Sequence, residues 1–245
     1  MGSKFLDLLP ATIQSHAVFS VRRYLPFIIV AAIAVATLVG GAILYRAKRL
    51  PALTIPGNFA LGKGDADSFH ARGASDAPVT LVEFGDFQCP PCADLAEPIN
   101  QLERDYRSRL RVVFHHFPLA NHQHAREAAL ASEAAGLQGR FWEMHDLLYR
   151  EQPVWSNAPD VRVAFSAYAG RLGLDIDQFK KDMASDKAKT RVGFDEEQAV
   201  TLDVKSTPTI FINNQEVPPA YRNPAGLRVI VDAALRAPAP ASSPE

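Results

Sequence analysis

The chain has 245 residues, of which 22% are charged, and its formal net charge is −1. A charge so close to zero provides no extended basic surface, so the composition does not favour binding to nucleic acid. Hydrophobic residues make up 47% of the chain, a share typical of globular proteins. The composition therefore predicts a protein with a buried core of ordinary size.

The N-terminal part contains a segment without charged residues, from Tyr24 to Tyr45, with basic residues on both sides. About 20 apolar residues suffice to cross a bilayer as a helix, and tyrosines are favoured at its two interfaces. A cleaved signal peptide is the alternative, but the segment is longer than a usual signal region and no A-x-A site follows it. We expect residues 24–45 to form a transmembrane anchor after a cytoplasmic tail, residues 1–23.

Proline and glycine are frequent between residues 46 and 68, which predicts a linker, and residues 237–245 have the composition of a disordered tail. The part between them, residues 69–236, is predicted to be one α/β domain in which residues 120–187 form a block of helices. Its predicted elements are, in chain order, strand 79–84, helix 93–106, strand 110–115, helices 125–135, 141–149, 161–172, 176–183 and 190–202, strand 206–212, a return strand through 217, and helix 224–235.

The two cysteines of the chain stand together in Cys89-Pro90-Pro91-Cys92, where a predicted strand is followed by a predicted helix. Free N–H groups and the positive end of the helix dipole favour a thiolate at such a place. Cysteines three positions apart in a first helical turn are close enough to form a disulfide. We expect Cys89 to be exposed and Cys92 to be buried one turn inside the helix. The motif is typical of a redox centre.

A pair of cysteines also has other uses. A zinc site needs four ligands, and the sequence has no second pair of cysteines. His116 and His122 have a suitable spacing, but the residues between them indicate the end of a strand and a loop. No resident metal and no cofactor are therefore expected. A metallochaperone that binds copper or zinc through Cys89 and Cys92 remains an alternative, as does an inert structural disulfide.

Several further motifs occur in the order found in a known family. Ala77-Pro78-Val79-Thr80-Leu81-Val82-Glu83-Phe84 leads into the cysteine pair, and Phe117-Pro118-Leu119 follows the second strand. Gln138 to Asp146 and Thr207-Pro208-Thr209 come later. Together these motifs resemble the thioredoxin fold with an inserted helical subdomain, and more closely the membrane-anchored bacterial members of the DsbA-like thiol–disulfide oxidoreductases.

The resemblance implies roles for individual residues. Cys89 is expected to be the attacking sulfur and Cys92 the resolving thiol. Thr207-Pro208 matches the cis-proline of the family, whose preceding residue lies beside the disulfide and pairs with the substrate backbone. Glu83 matches an acidic residue beneath the disulfide that moves the proton of the buried thiol, with a pKa raised by burial. An exposed glutamate on an edge strand is the alternative for Glu83.

The resemblance also implies a function. The domain is expected outside the cytoplasm, at the inner membrane of a bacterium, where it oxidises cysteines of exported proteins and is recycled by a DsbB-like or VKOR-like membrane partner. A membrane-anchored disulfide reductase of the TlpA or ResA kind is the alternative. Pro90 and Pro91 are expected to tune the reduction potential to a value between about −120 mV and about −270 mV, because prolines remove amides that would stabilise the thiolate.

Three other residues are interpreted more simply. His122 and His124 precede a predicted helix and are expected to be solvated. Trp155 is a candidate for the border of a substrate groove.

Overall fold

The computed structural model describes residue 24, residues 26–42 and residues 70–237. The predicted N-terminal tail, the predicted linker and residues 238–245 lie outside these residues, as do residue 25 and residues 43–45 of the predicted anchor.

The chain divides into two units, residues 1–51 and residues 52–245. In the first unit, residue 24 and residues 26–42 are helical, and large apolar side chains such as Phe27 and Leu38 are exposed. Among the described residues, no helix combines the length and the apolar character that crossing a bilayer requires.

The second unit is built on a sheet of five strands in the order β1-β3-β2-β4-β5. The strands are β1 His70–Arg72, β2 Val79–Gly85, β3 Leu110–His116, β4 Thr209–Ile212 and β5 Gln215–Glu216. β2 pairs in parallel with β3 and antiparallel with β4, so that Leu81 lies between Val112 and Ile212. β2 is therefore the central strand, and the residues that follow it leave from the middle of the sheet.

Eight helices accompany the sheet in residues 70–237. They are α1 Pro90–Tyr106, α2 Ala125–Gly136, α3 Phe141–Arg150, α4 Gln152–Trp155, α5 Arg162–Arg171, α6 Ile176–Ala184, α7 Asp186–Thr201 and α8 Pro224–Arg236. Short 3₁₀ helices occur at Arg107–Arg109 and Pro219–Tyr221. Helices α2 to α7 lie between β3 and β4 in the chain.

The two faces of the sheet are covered by different helices. Successive residues of a strand point to opposite faces, so neighbouring residues show which helix covers each face. Leu81 packs in one cluster with Leu95 of α1 and Leu227 of α8. Its neighbour Val82 packs in another cluster with Ala199 of α7. A third cluster joins both cysteines to the inserted helices. Glu83 is two residues after Leu81, so it faces the α1 side of the sheet.

Local signals explain where several elements begin and turn. Asn213 and Asn214 have positive φ values of 48° and 65°, which asparagine tolerates, and they turn β4 into β5 as predicted. Asn223 caps α8 by accepting a hydrogen bond from the N–H of Gly226. Ser185 caps α7 in the same way, so this helix begins at Asp186 and not at the predicted residue 190.

Candidate active site

Cys89 occupies the N-cap position of α1, shortly after the central strand ends. Its backbone is extended, with φ −78° and ψ 117°, and Pro90 and Pro91 fill the first two helical positions. The Cys89 N–H donates to the carbonyl oxygen of Asp86 at 3.0 Å, and the Cys89 carbonyl accepts from the N–H of Cys92 at 3.1 Å. The prolines lack an N–H where the helix offers no acceptor, so the helix begins at the cysteine pair as predicted.

Both cysteines are free thiols in the structure, and both are buried. Cys92 is buried as expected, but the expectation that Cys89 is exposed is wrong, because only 4% of the residue is accessible. The Cys89 sulfur lies 3.5 Å from the carbonyl oxygen of Thr207. The Gln152 side chain donates a hydrogen bond to the Cys89 carbonyl. Residues distant in the sequence therefore cover Cys89, which its position at a helix end did not reveal.

The two thiols differ in acidity. The pKa of Cys89 is lowered to about 6, chiefly by its hydrogen bond with the Cys92 side chain. Burial opposes this shift, whereas the proximity of Thr207 and a hydrogen bond with the Cys92 backbone support it. Burial raises the pKa of Cys92 well above its ordinary value, and its hydrogen bond to Cys89 and the charge of Glu83 add to the effect. Near neutral pH, Cys89 therefore carries the thiolate and Cys92 the proton.

The bond between Thr207 and Pro208 is cis, as predicted from the Thr-Pro pair. Pro208 is buried immediately before β4, and Thr207 is partly exposed. When Cys89 is protonated, its S–H donates to the Thr207 carbonyl. Thr207 thus borders the Cys89 sulfur, and the part of Thr207 and Pro208 in substrate binding stays a prediction.

Glu83 lies on the central strand, and only 2% of it is accessible. This excludes an exposed glutamate on an edge strand. Burial raises the pKa of Glu83 to about 8; the charge of Arg72 opposes the shift and the charge of Cys89 adds to it. The Oε1 atom has no hydrogen-bond partner among the described residues. Near neutral pH the Glu83 carboxyl group is therefore mostly protonated, and the exchange of this proton with Cys92 stays a prediction.

Gln152 is a residue of the site that the sequence did not indicate. It is the first residue of α4, a helix of four residues that was not predicted. Its side-chain amide is buried and donates to the carbonyl oxygens of Phe87 and Cys89, at 2.7 and 3.1 Å. Nearby, the amide of Gln88 donates to the carbonyl of Ser156 at 2.8 Å. These bonds fasten the cysteine loop to the inserted helices.

Asp86 was also not predicted as a site residue. Its carboxylate is buried and lies between the end of the central strand and Cys89. His122, which we expected to be solvated, is instead partly buried and bonds Asp86 Oδ2 through Nδ1 at 2.7 Å. The two residues are 36 positions apart, so no local pattern could have paired them.

The expectations for His124 and Trp155 are wrong as well. His124 is buried, and its Nε2 bonds the carbonyl oxygen of Ala158 at 2.8 Å. Trp155 has no accessible surface, because its ring packs in the core. Its indole N–H donates to the Leu148 carbonyl at 2.8 Å. It therefore cannot border a groove in this structure.

Among the described residues, one group of three His, Cys, Asp or Glu side chains has ligand atoms within 4.8 Å of one another, and it is His70, His116 and Glu133. The cysteines do not belong to it. Glu133 Oε1 accepts hydrogen bonds from Nε2 of His70 at 2.6 Å and of His116 at 2.7 Å. Nδ1 of His116 has no partner in the described part of the chain, whereas a metal-bound histidine usually donates its other N–H. The group therefore fits a hydrogen-bonded core cluster better than a metal centre.

Known proteins resemble this chain in both sequence and structure. The sequence profile of the thioredoxin family matches residues 65–233. Curated relatives include Na⁺/H⁺ antiporters NhaA 1 of Salinispora arenicola, 42% identical over 153 residues, and of Mycolicibacterium gilvum, 42% identical over 156 residues. Each match covers 62% of this chain but only 22% and 24% of the respective antiporter. The chain thus spans less than a quarter of these relatives, and their transport activity does not follow for it.

The similar solved structures have low sequence identity, and three of them cover between 69% and 75% of this chain. BdbD from Bacillus subtilis has a TM-score of 0.63 at 22% identity, and covers 70% of this chain and 95% of its own. A thioredoxin-like oxidoreductase from Silicibacter pomeroyi has a TM-score of 0.60 at 24% identity, with 75% and 100% covered. MdbA, a thiol–disulfide oxidoreductase from Corynebacterium diphtheriae, has a TM-score of 0.56 at 21% identity, with 69% and 90% covered. The chain belongs to the thioredoxin family, and its fold is the DsbA-like fold that the sequence predicted.

Proposed function

We propose that the protein is a thiol–disulfide oxidoreductase that exchanges the Cys89–Cys92 disulfide with cysteines of exported proteins, acting as a dithiol oxidase. One observation carries the proposal: an acidic thiol, Cys89, stands at the N-cap of α1, and a weakly acidic thiol, Cys92, follows it in the first turn of the helix. The family and the DsbA-like fold support the same class of enzyme.

The reaction begins with the oxidised protein and a substrate thiolate. The substrate sulfur attacks Cys89, the bond between Cys89 and Cys92 breaks, and a mixed disulfide forms on Cys89. Cys92 leaves with the electron pair and takes a proton from Glu83, whose pKa of about 8 leaves it mostly protonated near neutral pH. A second substrate thiolate then attacks the substrate sulfur of the mixed disulfide. This step releases Cys89 as a thiolate, so the substrate gains a disulfide and the protein holds two electrons.

The acidity of Cys89 supports the direction of oxidation. A stabilised Cys89 thiolate stabilises the reduced protein, and this makes the disulfide a stronger oxidant. The two electrons must then pass to another redox protein, for which a DsbB-like or VKOR-like membrane partner is proposed. Thr207 is proposed to pair with the substrate backbone, since its carbonyl lies 3.5 Å from the Cys89 sulfur.

The reduction potential and the preferred substrate test whether the protein acts as a dithiol oxidase or as a disulfide reductase. The oxidised full-length chain is mixed with a reduced, unfolded protein, and disulfide formation is compared with the rate at which the reduced chain cleaves insulin disulfides. The proposal expects efficient oxidation and a potential above the value of about −270 mV known for thioredoxin. A potential at or below that value, together with efficient insulin cleavage, would favour the reductase. Retention of copper or zinc by both thiols without any disulfide exchange would favour a metallochaperone.

The catalytic domain is proposed to be anchored in the inner membrane and to face the periplasm or the cell exterior. The uncharged segment from Tyr24 to Tyr45, with basic residues on both sides, supports the anchor. A membrane-impermeant thiol reagent is added to cells with an opened outer envelope and an intact inner membrane. Labelling of Cys89 is expected in these cells. Labelling that requires lysis of the inner membrane would contradict this location.

A further inference from the structure

The carboxylate of Asp86 is enclosed by the loop that carries the redox pair. Its side chain has no accessible surface. Oδ1 accepts a hydrogen bond from the N–H of Gln88 at 2.7 Å, and Oδ2 accepts from the N–H of Leu119 at 2.9 Å and from His122 at 2.7 Å. The Asp86 carbonyl oxygen accepts from the N–H of Cys89 at 3.0 Å. One residue thus fixes the loop through both its backbone and its side chain.

The position of Asp86 also has an electrostatic consequence for Cys89. Water screens a charge at a fully buried carboxylate only weakly, so the charge reaches neighbouring groups. The hydrogen bond with Cys92 is the largest influence on the Cys89 pKa and lowers it, whereas burial and, as a smaller influence, the charge of Asp86 raise it. The redox loop therefore contains a fixed group that opposes its own thiolate.

We infer that Asp86 is a positioning residue of the redox centre, which holds the Cys89 loop and whose buried negative charge limits the oxidising power of the Cys89–Cys92 disulfide. This inference rests on the proposed redox function. The reduced form contains the Cys89 thiolate, so a nearby negative charge destabilises the reduced form relative to the disulfide. The Asp86 charge thus destabilises the Cys89 thiolate, which the hydrogen bond with Cys92 stabilises.

His122 moderates this effect. Its Nδ1 donates to the same carboxylate oxygen that accepts from Leu119. A hydrogen bond from an imidazole draws negative charge toward the donor, and thereby weakens the field of the carboxylate at other groups. Loss of the His122 donor should therefore make the Asp86 charge more effective at Cys89, and loss of the charge itself should have the opposite result.

The variant Asp86→Asn tests the charge, because asparagine keeps the shape and one acceptor oxygen. In the full-length protein, the equilibrium with glutathione is measured, in which two glutathione thiols reduce the disulfide and form glutathione disulfide. We expect a shift of about threefold toward the dithiol, which corresponds to about 15 mV, because the charge of Asp86 is one of the smaller influences on the Cys89 pKa. We also expect the thiolate absorbance of Cys89 to titrate at lower pH. Neither measurement uses a protein substrate, so both results remain valid if the protein acts as a reductase and not as an oxidase.

Asp195→Asn is the matched control. Asp195 on α7 is also without accessible surface, and it accepts from Nδ1 of His115 at 2.7 Å and from the N–H of His116 at 2.9 Å. This variant should lose stability but leave the Cys89 titration unchanged. The inference is overturned if Asp86→Asn leaves both the titration and the glutathione equilibrium unchanged, or if Asp195→Asn shifts them equally.

A second pair of variants tests the moderating histidine and serves if Asp86→Asn does not fold. His122→Phe removes the donor, and His122→Gln keeps an amide N–H near the carboxylate. We expect His122→Phe to shift the Cys89 titration to higher pH and the glutathione equilibrium toward the disulfide, and His122→Gln to restore most of the parent values. Identical titrations for His122→Phe and the parent protein would contradict the role of His122. If Asp86→Asn does not fold, identical titrations of His122→Phe and the parent protein would also overturn the inference for Asp86.

Discussion

The side-chain amide of Gln152 donates a hydrogen bond to the carbonyl oxygen of Cys89 at 3.1 Å, and a second one to Phe87 at 2.7 Å. Gln152 stands at the start of α4, so the inserted helices directly hold the backbone of Cys89. The thioredoxin core supplies the strand and helix on which the cysteines stand. The insert therefore contributes to the position of Cys89 as well as to the hydrophobic core.

Replacement of Gln152 by methionine should weaken both the fold and the site. Methionine fills a similar volume but donates no hydrogen bond, so two carbonyl groups lose a donor. We expect the free energy of unfolding to fall by about 1–3 kcal/mol, and the reaction of Cys89 with an aromatic disulfide to become slower. Urea unfolding and stopped-flow absorbance measure the two effects. The variant Gln178→Met, at an exposed position, is the control, and an equal loss in both variants would contradict this account.

The two cysteines should respond differently to replacement. Cys92→Ala should trap mixed disulfides on Cys89, because the resolving thiol is missing. The same variant should shift the Cys89 titration to higher pH, since the hydrogen bond from Cys92 is the main cause of its lowered pKa. Cys92→Ser keeps an O–H donor and should retain a more acidic Cys89 while still trapping substrates. Cys89→Ala should trap none. Gel electrophoresis without reductant and thiolate absorbance against pH provide the readouts, and adducts on Cys92 would show that the assignment is reversed.

Much of the fold could be predicted because long elements have a clear periodicity. The predicted strand 79–84 and helix 125–135 differ from the structure by one residue at one end. β1 has three residues and α4 has four, which is too short for a periodic pattern. Both exist because of contacts with distant parts of the chain, such as the pairing of His70 with Phe114. Sequence periodicity contains no information about such contacts.

In the candidate site, too, residues in local motifs could be predicted, whereas residues that depend on distant contacts could not. Cys89, Cys92 and the Thr207–Pro208 bond could be found because their residue types are unusual and stand in recognisable motifs. Glu83 could be found because a charged residue interrupts an apolar strand. By contrast, Asp86 lies in the redox loop, but its role depends on contacts 33 and 36 positions away. A buried aspartate and a loop aspartate look alike in the sequence, and only the fold distinguishes them.

Glu83 should make stability depend on pH. Its pKa rises from 4.5 to about 8 on folding, chiefly through burial, so the folded protein holds this proton more tightly than the unfolded chain. The resulting stabilisation is complete below about pH 4.5 and is lost as the pH rises through about 8. Glu83→Gln should flatten this dependence, with a difference on the order of a few kcal/mol across the range. It should also slow turnover, because Cys92 loses its proton donor.

Urea unfolding of the oxidised protein from pH 4 to pH 9 measures this dependence without titration of either thiol. The control is Glu97→Gln, since the Glu97 side chain is exposed on α1. We expect the stability difference between Glu83→Gln and the parent to change by a few kcal/mol between about pH 4.5 and about pH 8, whereas the difference between Glu97→Gln and the parent should stay nearly constant. A Glu83→Gln variant that follows the parent curve and turns over at the parent rate would show that this carboxyl group does not take part.

Pro91 provides a test of how the dipeptide between the cysteines sets the reduction potential. It is exposed at the second helical position and has no N–H to offer the Cys89 thiolate. Pro91→His should restore this N–H and add an imidazolium within reach of the sulfur, and both changes favour the thiolate. The Cys89 pKa should therefore fall and the potential should rise, by about 30 mV for each pKa unit if Cys92 is unaffected. Pro91→Ala restores the N–H alone and should produce a smaller change in the same direction. Glutathione redox titration and thiolate absorbance against pH measure both variants. If the potential of Pro91→His stays constant or falls, the dipeptide between the cysteines does not set the reduction potential of this protein.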